Sequence, residues 1–328
     1  MFLSLFGAVE SGAIYAIMAL GVYLTFRVLD FPDLTVDGSF VTGAAVAAIS
    51  IMNGLPPVLG TILGALAGFL AGCITGILHT KGKINALLSG ILMMIALYSI
   101  NLRIMGQPTL SLLNESSLKT QLTSLWEKTG IDTFLNNLLS VLGLERFPAT
   151  WGIVIVMIVI VAIIKFLADY FLKTEVGLAL RATGDNQRMI RSFSANTDTL
   201  IIIGVGISNG LVGLSGALIA QHGGFADVGM GIGLIVIGLA SVIIGEALFG
   251  TKTIARATLA VILGAVIYRI VVTLALRVEF LDTGDMKLIT ALLVIVALVT
   301  PKILQAQREK QRRIKKRAAL PVEDVKNA

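Results

Sequence analysis

Residues 174–196 read TEVGLALRATGDNQRMIRSFSAN, a polar island between two long apolar runs. Upstream lies Trp151–Leu172, WGIVIVMIVIVAIIKFLADYFL; downstream lies Leu200–Ala220, LIIIGVGISNGLVGLSGALIA. As a helix, each run is long enough to cross a bilayer core of about 30 Å. Arg181, Arg188, Arg191 and the flanking Lys173 place the island in the cytoplasm by the positive-inside rule. Leu178 and Ala182 share one helical face, Met189 and Phe193 another. Gly184-Asp185-Asn186 interrupts them, since glycine suits a helix end and Asp or Asn the cap of the next helix. The island therefore reads as two short amphipathic helices, pinned between membrane spans and shaped to be gripped by a partner.

Composition agrees. The 328 residues are 56% apolar and 14% charged, with 34 glycines, and the mean hydropathy of +0.90 excludes an ordinary soluble domain. The fold class is an all-α polytopic membrane protein of about 8–10 transmembrane helices, with broken or re-entrant elements and two weakly related halves. Cys73 is the lone cysteine, so no intrachain disulfide forms, and two histidines make a soft-metal site unfavourable. The N-terminus, without a basic region before its apolar run, is expected to be a retained first helix. Residues 1–301 form the transmembrane domain, and residues 302–328 a basic cytoplasmic tail. Lys302, Arg308, Lys310, Arg312, Arg313, Lys315, Lys316 and Arg317 face Glu309 alone over 302–317, which suits anchoring beside anionic lipid.

Phe2–Phe26 is the first span and carries Glu10. Pro32, Asp33, Asp37 and Gly38 break the pattern that follows, and Val41–Met52 is too short to cross alone. Residues 30–53 are thus expected to be a broken or re-entrant element. Counting every apolar run as a crossing gives nine and leaves the N-terminus outside; a re-entrant 30–53 returns both termini to the cytoplasm, the preferred count. Val58–Leu78 carries glycine at 60, 64, 68, 72 and 76. One every fourth residue makes a flat row against which another helix backbone can lie. Residues 106–150 form the longest non-spanning segment, with nearly balanced charge, and are expected outside. Ile131, Phe134, Leu135, Leu138, Leu139 and Leu142 follow a helical period there, and Trp126 and Trp151 suit an interfacial belt. This segment either receives a partner protein or covers the outer mouth.

Phe31-Pro-Asp33-Leu34-Thr-Val36 is echoed by Phe225-Ala-Asp227-Val228-Gly-Met230. Paired interruptions in two halves of a transporter point to a binding site near mid-membrane. Catalytic constellations are lacking. Gly245–Thr253 approximates a phosphate loop, but its lysine comes one residue late and it ends a membrane helix. Of the ionisable residues in or near spans, Lys165 and Glu246 fall close to a cytoplasmic end and Arg103 close to the outer end, which leaves Glu10 and Arg269 as the functional candidates.

Several stretches resemble permeases of the ATP-binding-cassette (ABC) importer superfamily for branched-chain amino acids and sugars, in particular a subgroup for tryptophan and tyrosine. They are VDGSFVTGAAVAA at 36–48, INALLSGILMMIALYSINLRIMG at 84–106, LALRATGDNQRMIRSFSANTDT at 178–199 and SNGLVGLSGALIAQHGGFADVGMGIGLIVIGLASVIIGE at 208–246. The outer segment and the tail carry no such likeness, and Ser194 stands where the family pattern has glycine. The resemblance implies a bacterial inner-membrane, multi-pass subunit, its C-terminus cytoplasmic, that forms the pathway for a small solute such as an amino acid. It implies a second permease subunit (a homodimer), a cytoplasmic ABC ATPase that holds ATP and Mg, an extracytoplasmic solute-binding protein and contact with membrane lipids. The chain itself would be neither an enzyme nor a cofactor carrier, and no nucleic acid is implied. Residues 173–196 would be the coupling segment, with Leu180, Arg181, Ala182, Gly184, Asp185 and Asn186 against the ATPase. Phe31, Asp33, Asp37, Ser39, Asn209, Gln221, Phe225 and Asp227 become candidates for the substrate pathway. An ion-coupled carrier or channel working without an ATPase remains the alternative.

Overall fold

The computed structural model describes residues 2–128, 130–140, 147, 148, 150–192 and 196–276, and isolated positions among 288–299. Ser194, the basic tail and most of the last apolar run lie outside the described residues.

The described chain is almost entirely helical. In order come α1 (Phe2–Tyr23), prolonged by a π-helical turn (Leu24–Val28), α2 (Thr35–Met52), α3 (Pro57–Thr80) and α4 (Ala86–Met105). A short strand β1 (Thr109–Ser111) leads to α5 (Leu118–Glu127) and α6 (Ile131–Ser140). Then follow α7 (Gly152–Lys173), α8 (Glu175–Ser192), α9 (Thr197–Gly223), β2 (Phe225–Asp227), α10 (Leu234–Phe249) and α11 (Ile254–Ala275). Among the described residues, seven helices are long and apolar enough to cross a membrane. With 16 residues, α10 spans only about 24 Å.

Local chemistry sets the boundaries. Pro57 begins α3, where a missing N–H costs nothing. The side chains of Asn85, Asn196 and Thr253 accept from Leu87 N, Thr199 N and Arg256 N, capping α4, α9 and α11. Gly106 (φ 69°) and Gly224 (φ 77°) close α4 and α9 in the left-handed region.

The glycine row of α3 sits where three helices meet. A Cβ at Gly60 or Gly64 would meet Ala47 O (3.2 Å) or Gly43 O (2.6 Å) of α2. At Gly68, Gly72 and Gly76 it would meet Asn209 O, Val205 O and Ile202 Cα of α9, the last at 2.7 Å. One edge of α3 thus serves two partners in turn, and backbone-to-backbone approach replaces side-chain interdigitation. Against α1, α9 runs antiparallel: Ser208 Oγ donates to Gly21 O (2.6 Å) and Ser215 Oγ to Ile14 O (2.9 Å).

One expectation is corrected. Residues 35–52 do not re-enter: they form one continuous helix antiparallel to α3, with Thr35 beside Thr75 (2.8 Å between hydroxyls) and Ala47 beside Gly60. Small residues at 38, 39, 43–45, 47 and 48 make α2 look weakly apolar, yet 78% of its span is buried in protein, so it needs little lipid-facing bulk. α1 begins at the end of the bundle opposite α8. Phe6 stacks edge-on against Trp151, at the start of α7, with centroids 4.8 Å apart, whereas α8 follows the other end of α7.

The interrupted element lies instead in the second half, where β2 and a glycine-rich loop precede α10. The sequence echo has a structural form there. Asp33 Oδ1 accepts from Thr35 N (2.8 Å) and Asp227 Oδ1 from Gly229 N (2.7 Å), so both aspartates make the same turn two residues on. One turn sits by the end of α3, where Phe31 packs edge-on against His79. The other sits at the opposite end of the bundle, where Thr109 Oγ1 donates to Asp227 Oδ2.

The segment between α4 and α7 is strapped to the end of the bundle far from α8. Leu118 N donates to Gln221 Oε1 (3.1 Å) and Lys119 Nζ to His222 O (3.1 Å). Trp126 Nε1 and Trp151 N share Asp132 Oδ1 at 2.9 and 3.0 Å. The predicted amphipathic helix is α6; Phe134, Leu138, Leu139 and Leu142 lie outside the described side chains.

Candidate functional site

The coupling segment folds as two helices joined at Asn186, whose backbone leaves the helical region (φ −154°, ψ 89°). Asn186 Oδ1 accepts from Met189 N (3.1 Å) and caps the second helix, as the Gly-Asp-Asn sequence predicts. Gly177, Leu180, Thr183 and Ile190 are buried, which seats α8 on the bundle. Leu180 packs with Leu24, Leu29, Leu172 and Val205. Gly184 lies directly on the backbone of Val28 and Leu29, where a Cβ would collide with the Val28 carbonyl. The opposite face is exposed and carries Val176, Leu178 and Met189 beside Arg181, Asp185 and Arg188. An open groove of about 760 Å³ separates this face from the π-helical turn, lined by Phe26, Arg27, Asp30, Leu178, Arg181 and Asp185 among others.

Of the six coupling candidates, then, Arg181, Asp185 and Asn186 are exposed, Ala182 and Gly184 are half-buried, and Leu180 is part of the seat. No sequence signal marks Arg27, whose guanidinium pairs with Glu246 near the end of α10. Only packing brings those two together across 219 positions.

The pathway candidates divide into three groups. Asp33, Asn209, Ser39, Gln221 and Phe31 are buried within this chain. Asp33 Oδ2 accepts from Asn209 Nδ2 (2.6 Å), joining the α1–α2 turn to α9. Gln221 donates to Thr61 Oγ1 (2.7 Å) and Ala217 O (3.2 Å) and accepts from Leu118 N, so its amide is fully engaged. Asp33, Asn209, Gln221 and Phe31 thus make contacts between helices, whereas Ser39 Oγ and Asn209 Oδ1 are buried without a hydrogen-bond partner. Phe225 is exposed and Asp227 half-buried, at the end opposite α8.

Asp37 is different. Half-buried in the first turn of α2, it accepts from Gly233 N with Oδ2 (2.7 Å) and from Ile235 N with Oδ1 (2.8 Å). α10 has no side-chain cap of its own at Gly233, so a carboxylate from another helix supplies it and meets the positive end of the helix dipole. Beside this junction lies an open cleft of about 450 Å³ between α2, α4 and the loop before α10.

Most span charges have structural partners. Lys165 pairs with Asp169 (2.6 Å), which accepts from Thr258 Oγ1 (2.6 Å) on α11. Arg269 lies over the Tyr15 ring (4.8 Å) and donates to Ser11 Oγ (3.2 Å). Arg269 is thus engaged within α1 and α11 by groups other than Glu10, the residue with which the sequence singled it out.

A multi-pass helical bundle with an interrupted half-helix and a braced, exposed helix pair at one end is the architecture of a membrane permease subunit. The family model for the branched-chain amino acid transport system permease component matches residues 4–299, and the chain belongs to that family. A tyrosine transport system permease protein of Clostridioides difficile (strain R20291) is 42% identical over 287 residues, 88% of each chain. An uncharacterised protein of Rickettsia prowazekii (strain Madrid E) is 32% identical over 299 residues, 90% of this chain and 96% of its own. No solved structure matches.

Proposed function

We propose that this chain is the membrane subunit of an ATP-driven importer of an aromatic amino acid, working as a homodimer in a bacterial inner membrane with its C-terminus cytoplasmic. A cytoplasmic ABC ATPase, the holder of ATP and Mg, grips α8; an extracytoplasmic solute-binding protein delivers substrate at the opposite end. The carrying observation is α8 itself: two short helices, locked below by Leu180 and Gly184, with an exposed face of apolar and cationic residues. An ATPase needs a rigid handle, since force applied to a loose loop would be lost in its own motion. Likeness to the clostridial permease supports the aromatic substrate. No catalytic role is assigned to the chain.

Reconstitution of the chain with its ATPase and binding protein tests this reading. ATP-dependent tyrosine uptake is expected, and Arg181→Glu should abolish it while the protein stays folded. Uptake driven by an ion gradient through this chain alone would establish a secondary carrier instead.

A further inference from the structure

The cleft beside Asp37 is walled by Val41 of α2, Met94, Ile95 and Tyr98 of α4, and Ile232 of the loop before α10. Its polar groups are Asp37, Ser99 and Asn101. Asn101 is 1% exposed; its Nδ2 donates to Gly38 O (3.2 Å) and its Oδ1 has no partner. An acceptor that is buried, lines a cleft and stands unpaired calls for an explanation. A donor arriving with a ligand supplies one. Asp37 adds a second acceptor, because the backbone N–H groups of Gly233, Ile235 and Leu234 leave one of the roughly four lone-pair sites of its carboxylate open.

We propose that this cleft is the substrate-recognition subsite, holding the ammonium of an amino acid against Asn101 Oδ1 and the Asp37 carboxylate, and its large apolar side chain among Met94, Tyr98 and Ile232. It rests on reading the chain as an amino acid permease and names where that permease selects. The volume falls within the range of small-molecule sites, and the lining is the usual one: mostly apolar, with a few convergent polar groups. Lipid acyl chains would leave both acceptors unanswered. Met94 and Tyr98 favour an aromatic ring through sulfur–ring and ring–ring contacts. One wall, Val228–Ile232, is the break leading into α10, so any shift of α10 reshapes the cleft.

The test uses the complete complex in proteoliposomes and compares uptake of labelled tyrosine and leucine. Tyr98→Ala should change the tyrosine-to-leucine ratio by about tenfold, and Tyr98→Phe should restore it. Ile232→Trp, filling the cleft, should depress tyrosine uptake more than leucine uptake. Both variants should fold, because Tyr98 and Ile232 are 52% and 60% exposed and a new side chain there displaces nothing in the bundle interior. Ratios unchanged in both variants would overturn the cleft alone. A wild-type complex that moves no amino acid would overturn the functional reading and the cleft with it. Ile232→Cys in a Cys73→Ser background adds a third arm. Protection from a thiol reagent by tyrosine supports the proposal, whereas crosslinking to a second copy regardless of tyrosine assigns the cleft to a subunit contact and overturns it.

Discussion

Asp37 in the first turn of α2 holds Ile235 in the first turn of α10, its Oδ1 accepting from Ile235 N at 2.8 Å while Oδ2 accepts from Gly233 N at 2.7 Å. The chain places the cap of the 16-residue α10 on a different span. A half-helix held in this way keeps its start fixed within the bundle without a capping residue of its own. Any relative movement of α2 and α10 must stretch these two bonds.

Asp37→Ala should therefore lower stability by about 1–2 kcal/mol, the usual worth of a lost cap with its dipole contact. Asp37→Asn, retaining one acceptor, should lose less. Thermal unfolding in detergent checks the order, and equal melting points for both variants and the parent would contradict it.

The glycine row makes a graded prediction. Gly72→Ala drives a methyl into the Val205 carbonyl and the Asn209 side chain, both part of α9. A cost of about 1–3 kcal/mol is expected for such overpacking. Gly60→Ala, with 3.2 Å to its nearest neighbour, needs only a small adjustment, and Gly7→Ala meets nothing within 4 Å. Unfolding midpoints should fall in the order Gly7, Gly60, Gly72.

Gly184→Val should act differently. The new side chain cannot share space with Val28 and Leu29, so α8 must lift from its seat. Bundle stability should change little, because α8 lies at one end. Co-purification with the ATPase should drop sharply, which pull-down against the unsubstituted chain measures.

The Arg27–Glu246 pair joins the π-helical turn beneath α8 to the last turns of α10, so one element touches both the coupling seat and the interrupted helix. Arg27 is 53% exposed along its side chain, and pairs of that kind contribute at most about 1 kcal/mol. Arg27→Glu should leave the melting point nearly unchanged yet reduce the uptake obtained per ATP hydrolysed. Glu246→Arg in the same chain should recover it. Failure of the charge swap to rescue would remove this pair from the coupling route.

Asp33 and Asn209 should prove structural. Both are fully buried, and removing the carboxylate leaves an amide hydrogen of Asn209 without its partner. Asp33→Leu is expected to cost about 1.5–3 kcal/mol. A variant that folds with unchanged stability and loses only transport would instead return these residues to the pathway.

Much of this architecture was legible along the chain. Long apolar runs need no partner to declare themselves, because bilayer thickness alone sets their length. The broken form of α8 was also local: Asn186 caps the helix that follows it, through an atom three residues away. The five-glycine period likewise marked the packing edge of α3, since residues four apart lie on one helical face. The course of α2 was not legible. Its small residues mimic a weak span, and only the burial imposed by α3 and α9 shows that it needs no lipid-facing bulk.

What the sequence determined by itself was whatever depends on neighbours in the chain: which segments are helices, where they are capped, and which face of α3 is flat. What only the tertiary structure decided was which distant groups meet. Asp37 and Gly233 stand 196 positions apart, and Arg27 and Glu246 stand 219 apart. A carboxylate carries no mark of the helix end it will hold. Its partner is fixed by the packing of the whole bundle, and so are the cleft and the link between α8 and α10.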